Sequence, residues 1–152
     1  VGTILSTMDN IFDESNCGCI HHKYFSVNIE NFTESMSYNT CLNRKIAIDK
    51  NGYIKNCPSM QKSDGHVDNT TISDVLKNLK FKALWEINKN RIEKCKDCEF
   101  RYICTDCRAY TENPNDIYSA PLKCGYNPYK GEWDDWTSNP LKEQAIQYYN
   151  LR

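Results

Sequence analysis

The sequence predicts an α+β fold, a small β-hairpin plus a helix core, joined and extended by cysteine-rich irregular loops. Three observations carry this expectation. Residues 45–56 alternate apolar and polar side chains on either side of Asp49-Lys50-Asn51-Gly52, which is hairpin patterning. Thr71-Ile72-Ser73-Asp74 places a hydroxyl three residues ahead of a carboxylate and opens an apolar stripe of helical spacing. Most of the nine cysteines fall in weakly periodic segments, the last of which is interrupted by Pro114, Pro121 and Pro128.

In chain order, residues 1–16 read as a connection to a missing N-terminal domain, with a short strand or helix over residues 2–12. A loop over residues 16–22 follows, carrying Cys17 and Cys19. In the hairpin, Ile46 and Ile48 alternate with Ala47 and Asp49, and Tyr53-Ile54-Lys55-Asn56 returns. Asn51-Gly52 is expected to supply the positive φ angles of a tight turn. Cys41 enters this hairpin and Cys57 leaves it, so the turn is expected to bring both thiols to one end. After a loop over residues 58–69, a single helix is expected with Leu76, Leu79, Ala83 and Ile87 on its buried face and Lys77, Lys80 and Glu86 around it. Phe81, Leu84 and Trp85 widen that apolar surface. Residues 131–152 read as a C-terminal tail or helix, with Leu141, Ala145, Ile146 and Tyr149 on one face, after a solvated acidic stretch of Glu132, Asp134 and Asp135.

The chain has 152 residues, 39% of them hydrophobic and 26% charged, with a formal net charge of -1. That is one domain's worth of chain, and it lacks the basic footprint of a nucleic-acid binder. No run of 18 apolar residues occurs, so no membrane span is expected. The start at Val1, without an initiator Met or a signal-peptide pattern, reads as a fragment of a longer chain.

The cysteines set the chemistry. Cys17, Cys19, Cys41, Cys57, Cys95, Cys98, Cys104, Cys107 and Cys124 are odd in number, so they cannot all close into intramolecular disulfides. Residues 95–107 form C-x2-C-x5-C-x2-C, four thiols within thirteen residues. Thiolates select soft cations such as zinc, copper(I) or the iron of iron-sulfur clusters. One zinc held by the four is the simplest reading, but its five-residue central spacer is shorter than that of common four-thiolate zinc sites. It also leaves Cys41, Cys57 and Cys124 without a role. His21, His22 and His66 read as surface or hydrogen-bonded residues.

The order of seven of these thiols resembles the SPASM domain, the auxiliary iron-sulfur domain of radical SAM peptide maturases. Cys41 is followed after fifteen residues by Cys57, and Gly52-Tyr53-Ile54-Lys55-Asn56-Cys57 fits the G-x4-C element. Cys95, Cys98 and Cys104 fit the next three positions and Cys124 the last. Cys107 departs from the pattern, because two residues separate it from Cys104 where three are commoner. Cys41-Leu42-Asn43-Arg44-Lys45 and the 95–107 block are most similar to the grasp-with-spasm peptide maturase family.

The resemblance implies loops organised by two 4Fe-4S clusters with interleaved ligands. Cys95, Cys98, Cys104 and Cys124 would hold one; Cys41, Cys57 and Cys107 would hold the other, with Cys17 as fourth ligand or Cys19 as the alternative. It further implies a cytoplasmic parent in which S-adenosylmethionine is bound by a separate N-terminal domain. The C-x3-C-x2-C motif of that domain is absent here, and no catalytic acid, base or nucleophile is assigned. The expected role is electron relay or positioning of a precursor peptide during ribosomal peptide maturation. The alternative is a non-catalytic module, with structural clusters or zinc, that presents the peptide to an ATP-grasp ligase, using the open edge of the hairpin to take a peptide strand. Arg101, Tyr102, Arg108 and Tyr110 flank the thiols and read as packing and solvation.

Overall fold

The computed structural model describes residues 16–151. The strand or helix expected over residues 2–12 lies outside them. The described residues form a small α+β domain of four short α-helices and two two-stranded antiparallel sheets, linked by 3-10 turns and irregular loops.

The first helix, α1 (Ile29–Ser37), was not foreseen in the sequence. Asn28 caps it by accepting from the Asn31 amide at 2.7 Å, the usual work of an Asn at that position. Its apolar residues Ile29, Phe32 and Met36 are exposed, so the helix is seated by polar contacts and by the edge-on ring contact of Phe32 with Tyr102. Ser35 donates to the Tyr102 carbonyl at 2.9 Å, and Ser26, just before the helix, donates from its amide to Ile103 at 3.0 Å.

The expected hairpin forms from β1 (Ala47–Ile48) and β2 (Ile54–Lys55), paired Ala47 to Lys55 and Ile48 to Ile54. Its turn differs from the expectation, because Gly52 has φ +85 whereas Asn51 is not among the positive-φ residues. The Asp49 carboxylate takes over, accepting from the Asn51 and Tyr53 amides at 2.9 and 3.0 Å and pairing with Lys55 at 2.7 Å. A side chain that satisfies the turn amides removes the need for a second left-handed residue. The outer edge of β2 is covered: Ile54 donates to Gly65 and accepts from Asp64, both at 2.8 Å. The peptide-strand edge expected of this hairpin is therefore closed on the β2 side by the chain itself.

The helix after Thr71 is broken in two. Thr71 and Asp74 cap it reciprocally as expected, but α2 (Ile72–Lys77) ends at Asn78. That residue is extended (φ -75, ψ 113) and caps α3 (Leu79–Lys82) by accepting from the Lys80 amide at 3.0 Å. A 3-10 turn, Ala83–Glu86, follows. The break rotates the predicted stripe: Leu79 is 80% exposed, while Val75 and Phe81 pack on Ile54 with Ile46, Leu76 and Trp85 around them. Asn56 ties the two sides together, donating to the Phe81 carbonyl at 2.9 Å and accepting from the Trp85 indole at 2.7 Å.

Near the C-terminus, β3 (Tyr126–Asn127) and β4 (Glu132–Trp133) form a second hairpin, where a loop and a solvated acidic stretch are expected from the sequence. A 3-10 turn over Pro140–Lys142 leads into α4 (Glu143–Tyr148). Ala145 and Ile146 of α4 are buried against Cys107, Tyr110 and Leu122. Leu141, expected on that face, is 88% exposed, because the 3-10 turn precedes the α-helical register. A third small core joins Ile87, Ile92 and Cys95. Two of the three cores thus contain a cysteine, so packing fixes where those thiols point.

Candidate metal centre

All nine cysteines are free thiols, and the fold draws them towards two places. At the first, Cys17, Cys19, Cys41, Cys57 and Cys107 line a cavity of about 220 Å³. Cys41 is presented by a tight turn in which the Asn39 side-chain oxygen accepts from the Cys41 and Leu42 amides at 3.1 and 2.9 Å. Cys57 follows two residues after β2, and both thiols that flank the hairpin line this cavity. Gly18 also lines the cavity, with φ +83, and a Cβ there would stand 2.9 Å from the Cys107 sulfur and 3.3 Å from the Tyr110 ring. Only a glycine gives the backbone this approach. The loop carrying Cys17 is held by Lys123, which donates to the Cys17 carbonyl at 2.8 Å.

At the second place, Cys95, Cys98 and Cys124 line a small recess of about 30 Å³. Cys104 is buried beside them, accepting a hydrogen bond from the Lys89 ammonium at 3.4 Å. Cys95, Cys104 and Cys124 all lie within electrostatic reach of Lys89. Lys142, also buried, donates to the carbonyls of Leu122 and Cys124 and pairs with Glu112 at 3.0 Å, fixing the backbone at Cys124.

Between the two groups stands Asp106, two residues after Cys104 and one before Cys107. Its carboxylate is buried and grips Arg108 by two hydrogen bonds of 2.6 and 2.8 Å, the fork geometry that suits guanidinium. Asn39 donates to it at 2.6 Å, and the Lys89 ammonium lies 3.9 Å away. Arg108 also donates to the carbonyls of Ile117 and Ser119, each at 2.8 Å. One buried polar network therefore spans both thiol groups and the loops that carry them.

Burial controls the protonation of these thiols. Desolvation, reinforced by Cys107 and opposed by Lys45, pushes Cys41 up to about 12. Desolvation also pushes Cys95 to about 12, and Cys104 and Cys107 to about 11, with Lys89 opposing it at Cys95 and Cys104. Without a bound cation these groups are neutral thiols, and a soft metal would have to displace their protons. Lys89 is raised as well: burial lowers it, but Cys95, Cys104, Asp106 and Cys124, in their ionised forms, outweigh burial and hold it above the ordinary lysine value.

The sequence reading missed Lys89, Asn39, Asp106 and Lys142 as members of this centre. Asp106 carries a signal, since it lies between two motif cysteines next to Arg108. Lys89 carries none, because Asn88-Lys89-Asn90-Arg91 reads as a solvated turn. Tyr110, which flanks the thiols, is a buried packing residue as read, whereas Arg108 is a buried hydrogen-bonding partner of Asp106 rather than a solvated or merely packed side chain. The histidines stand apart from the 220 Å³ cavity: His21 and His22 meet Trp133, and the His66 Nε2 lies 2.7 Å from the Asn51 carbonyl oxygen. A further recess of about 470 Å³, lined by Glu30, Thr33, Glu34, Tyr38 and Arg44, contains no thiol.

Among the described residues, no three His, Cys, Asp or Glu side chains converge closely enough to grip a single metal ion, and no helix is long and apolar enough to cross a membrane. Comparisons with protein-family models, with curated proteins and with solved structures return no match.

Proposed function

We propose that this chain is a SPASM-like auxiliary iron-sulfur domain of a peptide maturase. Cys17, Cys41, Cys57 and Cys107 would hold one 4Fe-4S cluster, and Cys95, Cys98, Cys104 and Cys124 the other. The observation that carries the reading is the segregation of the thiols. Cys41, Cys57 and Cys107, distant in sequence, surround one cavity with Cys17 and Cys19, while Cys124 joins Cys95 and Cys98 at another. Cys107 parts company with the compact motif it belongs to, as interleaved ligation requires.

The donor set suits such groups. The thiols around the 220 Å³ cavity enclose a volume, which fits a multinuclear cluster better than a single tetrahedral ion, which needs four sulfurs converging on one point. Glycine at position 18 lets the Cys107 sulfur and the Tyr110 ring pack directly on the backbone beside Cys17. Cys17 is the better fourth ligand for the first cluster, because it adjoins Gly18, whose bare backbone packs against Cys107, and Cys19, which lines the same cavity, is the alternative. When bound, the clusters would supply one-electron transfer or a rigid staple. The protein's own residues position the thiolates, exclude water from Cys95, Cys104 and Cys107, and balance the charge. The expected partner is a precursor peptide, with an ATP-grasp ligase as a second candidate.

Anaerobic iron and sulfide analysis with Mössbauer spectroscopy on reconstituted protein tests this. About eight irons and eight sulfides per chain are expected for two such clusters. Stoichiometric zinc without sulfide overturns the reading. Cys124→Ala should lose one cluster's signal and leave most of the other.

A further inference from the structure

Lys89 is buried, yet nothing in the ordinary economy of a folded domain requires an ammonium there. Desolvating such a charge costs several kcal/mol unless a partner compensates it. Its nearest carboxylate, Asp106, is already matched by Arg108 through two hydrogen bonds and by Asn39 through a third. The Lys89 nitrogen lies closer to the Cys104 sulfur, at 3.4 Å, than to Asp106, at 3.9 Å. The side chain is aimed by its backbone: Lys89 opens the 3-10 turn Lys89–Arg91, and Asn88, which caps that turn, donates from its side-chain amide to the Met36 carbonyl at 2.9 Å. Ile87 and Ile92, on either side, are core residues packed with Cys95. The ammonium is thus delivered to the second thiol group by rigid, buried chain.

We propose that Lys89 is a positioning residue that raises the reduction potential of the second cluster by donating a charged hydrogen bond to the Cys104 sulfur. The proposal rests on the cluster reading above. One-electron reduction adds one negative charge to the cluster and its sulfurs, and no bond to the protein forms or breaks. A fixed positive charge beside one ligand sulfur favours the reduced state over the oxidised one. In a buried site the effect is little screened by solvent.

The test is a mediated, EPR-monitored potentiometric titration with dithionite as electron donor, on anaerobically reconstituted protein and on Lys89→Met, Lys89→Gln and Lys89→Arg. Iron, sulfide and melting temperature are measured for each. In the Met and Gln variants, the potential of one of the two clusters should fall by at least ~59 mV, a tenfold change in the one-electron equilibrium. The Arg variant should stay close to the parent. A merely structural lysine would move the melting temperature and leave the potentials in place. Unchanged potentials in an iron-loaded Met or Gln variant overturn the proposal. Failure of both variants to load the second cluster also overturns it, by making Lys89 an assembly residue. A parent protein that takes up zinc and no sulfide overturns the cluster reading and this proposal together.

Discussion

The Asn39 side chain donates a 2.6 Å hydrogen bond to Asp106, and with it the turn that presents Cys41 is fastened to the loop that carries Cys104 and Cys107. Asn39 is also bonded to the Ile87 carbonyl at 3.2 Å. Three segments far apart in sequence therefore meet at one amide. The carboxylate at the centre is buried with Arg108 and Lys89, so its removal leaves uncompensated charge. Asp106→Ala should cost ~3–5 kcal/mol of unfolding free energy. Asn39→Ala should cost ~1–3 kcal/mol, because the Cys41 and Leu42 amides lose their acceptor. Urea denaturation of the metal-free protein measures both; a loss below about 1 kcal/mol for Asp106→Ala would show that the network is not a structural hub.

Gly18→Ala tests the wall of the first cavity. The backbone there is left-handed, at φ +83, and the added methyl group would press on the Cys107 sulfur at 2.9 Å. Strain of ~1–2 kcal/mol is expected from the backbone alone. Iron analysis should show roughly half the parent's iron, since one of two clusters would fail to assemble. Full iron loading would place the first cluster elsewhere.

Gly125→Ala tests the second site from the outside. A Cβ built at Gly125 would overlap the Asp134 carbonyl oxygen, a backbone atom that cannot swing aside. The Asp134 amide donates back to the Gly125 carbonyl at 2.9 Å, so the two segments are already in contact. The β3–β4 hairpin should splay and shift Cys124, its neighbour in sequence. The expected readout is a lower melting temperature, with the EPR signal of one cluster broadened and the other unchanged.

Cys17→Ala and Cys19→Ala separate the two candidates for the fourth ligand of the first cluster. Both thiols are exposed on the cavity wall, so neither substitution creates a core void. Cys17→Ala should lower iron content, while Cys19→Ala should leave it at the parent level. The reverse result reassigns the ligand to Cys19.

The metal-free protein should lose stability in alkali. Cys41 and Cys95 are pushed up to about 12, and Cys104 and Cys107 to about 11, from an ordinary value of 9.0. Between these limits the folded thiols keep protons that the unfolded chain gives up. Their contribution is therefore fully present below pH 9.0 and is lost as pH rises towards 12. Melting temperatures recorded from pH 7 upward should fall beyond about pH 9. Loaded protein, whose thiolates are already deprotonated, should lack this decline and should instead release its metal in acid.

What was legible in the sequence was local. The β1–β2 hairpin is marked by alternation and by Gly52, the start of α2 by Thr71 and Asp74, and α4 by its apolar spacing. In each case the signal and the structure lie within a few residues of each other, and backbone dihedrals and caps act over that range. Asn78 shows the limit of such reading: a polar residue inside an apolar stripe looks harmless, yet its capping side chain splits the helix and turns Leu79 to solvent.

The sequence by itself determined that nine thiols are present, that they cannot all pair, and that a hairpin separates Cys41 from Cys57. Only the tertiary structure decided which thiols share a space, and that the partners of Cys104 and Asp106 include a lysine from a turn that reads as solvated. The physical reason is that burial is a property of the assembled chain. A lysine in a polar tetrapeptide has no local signature of its fate; its environment is made by Ile87, Ile92 and Cys95 packing around it and by Asp106 arriving from another loop.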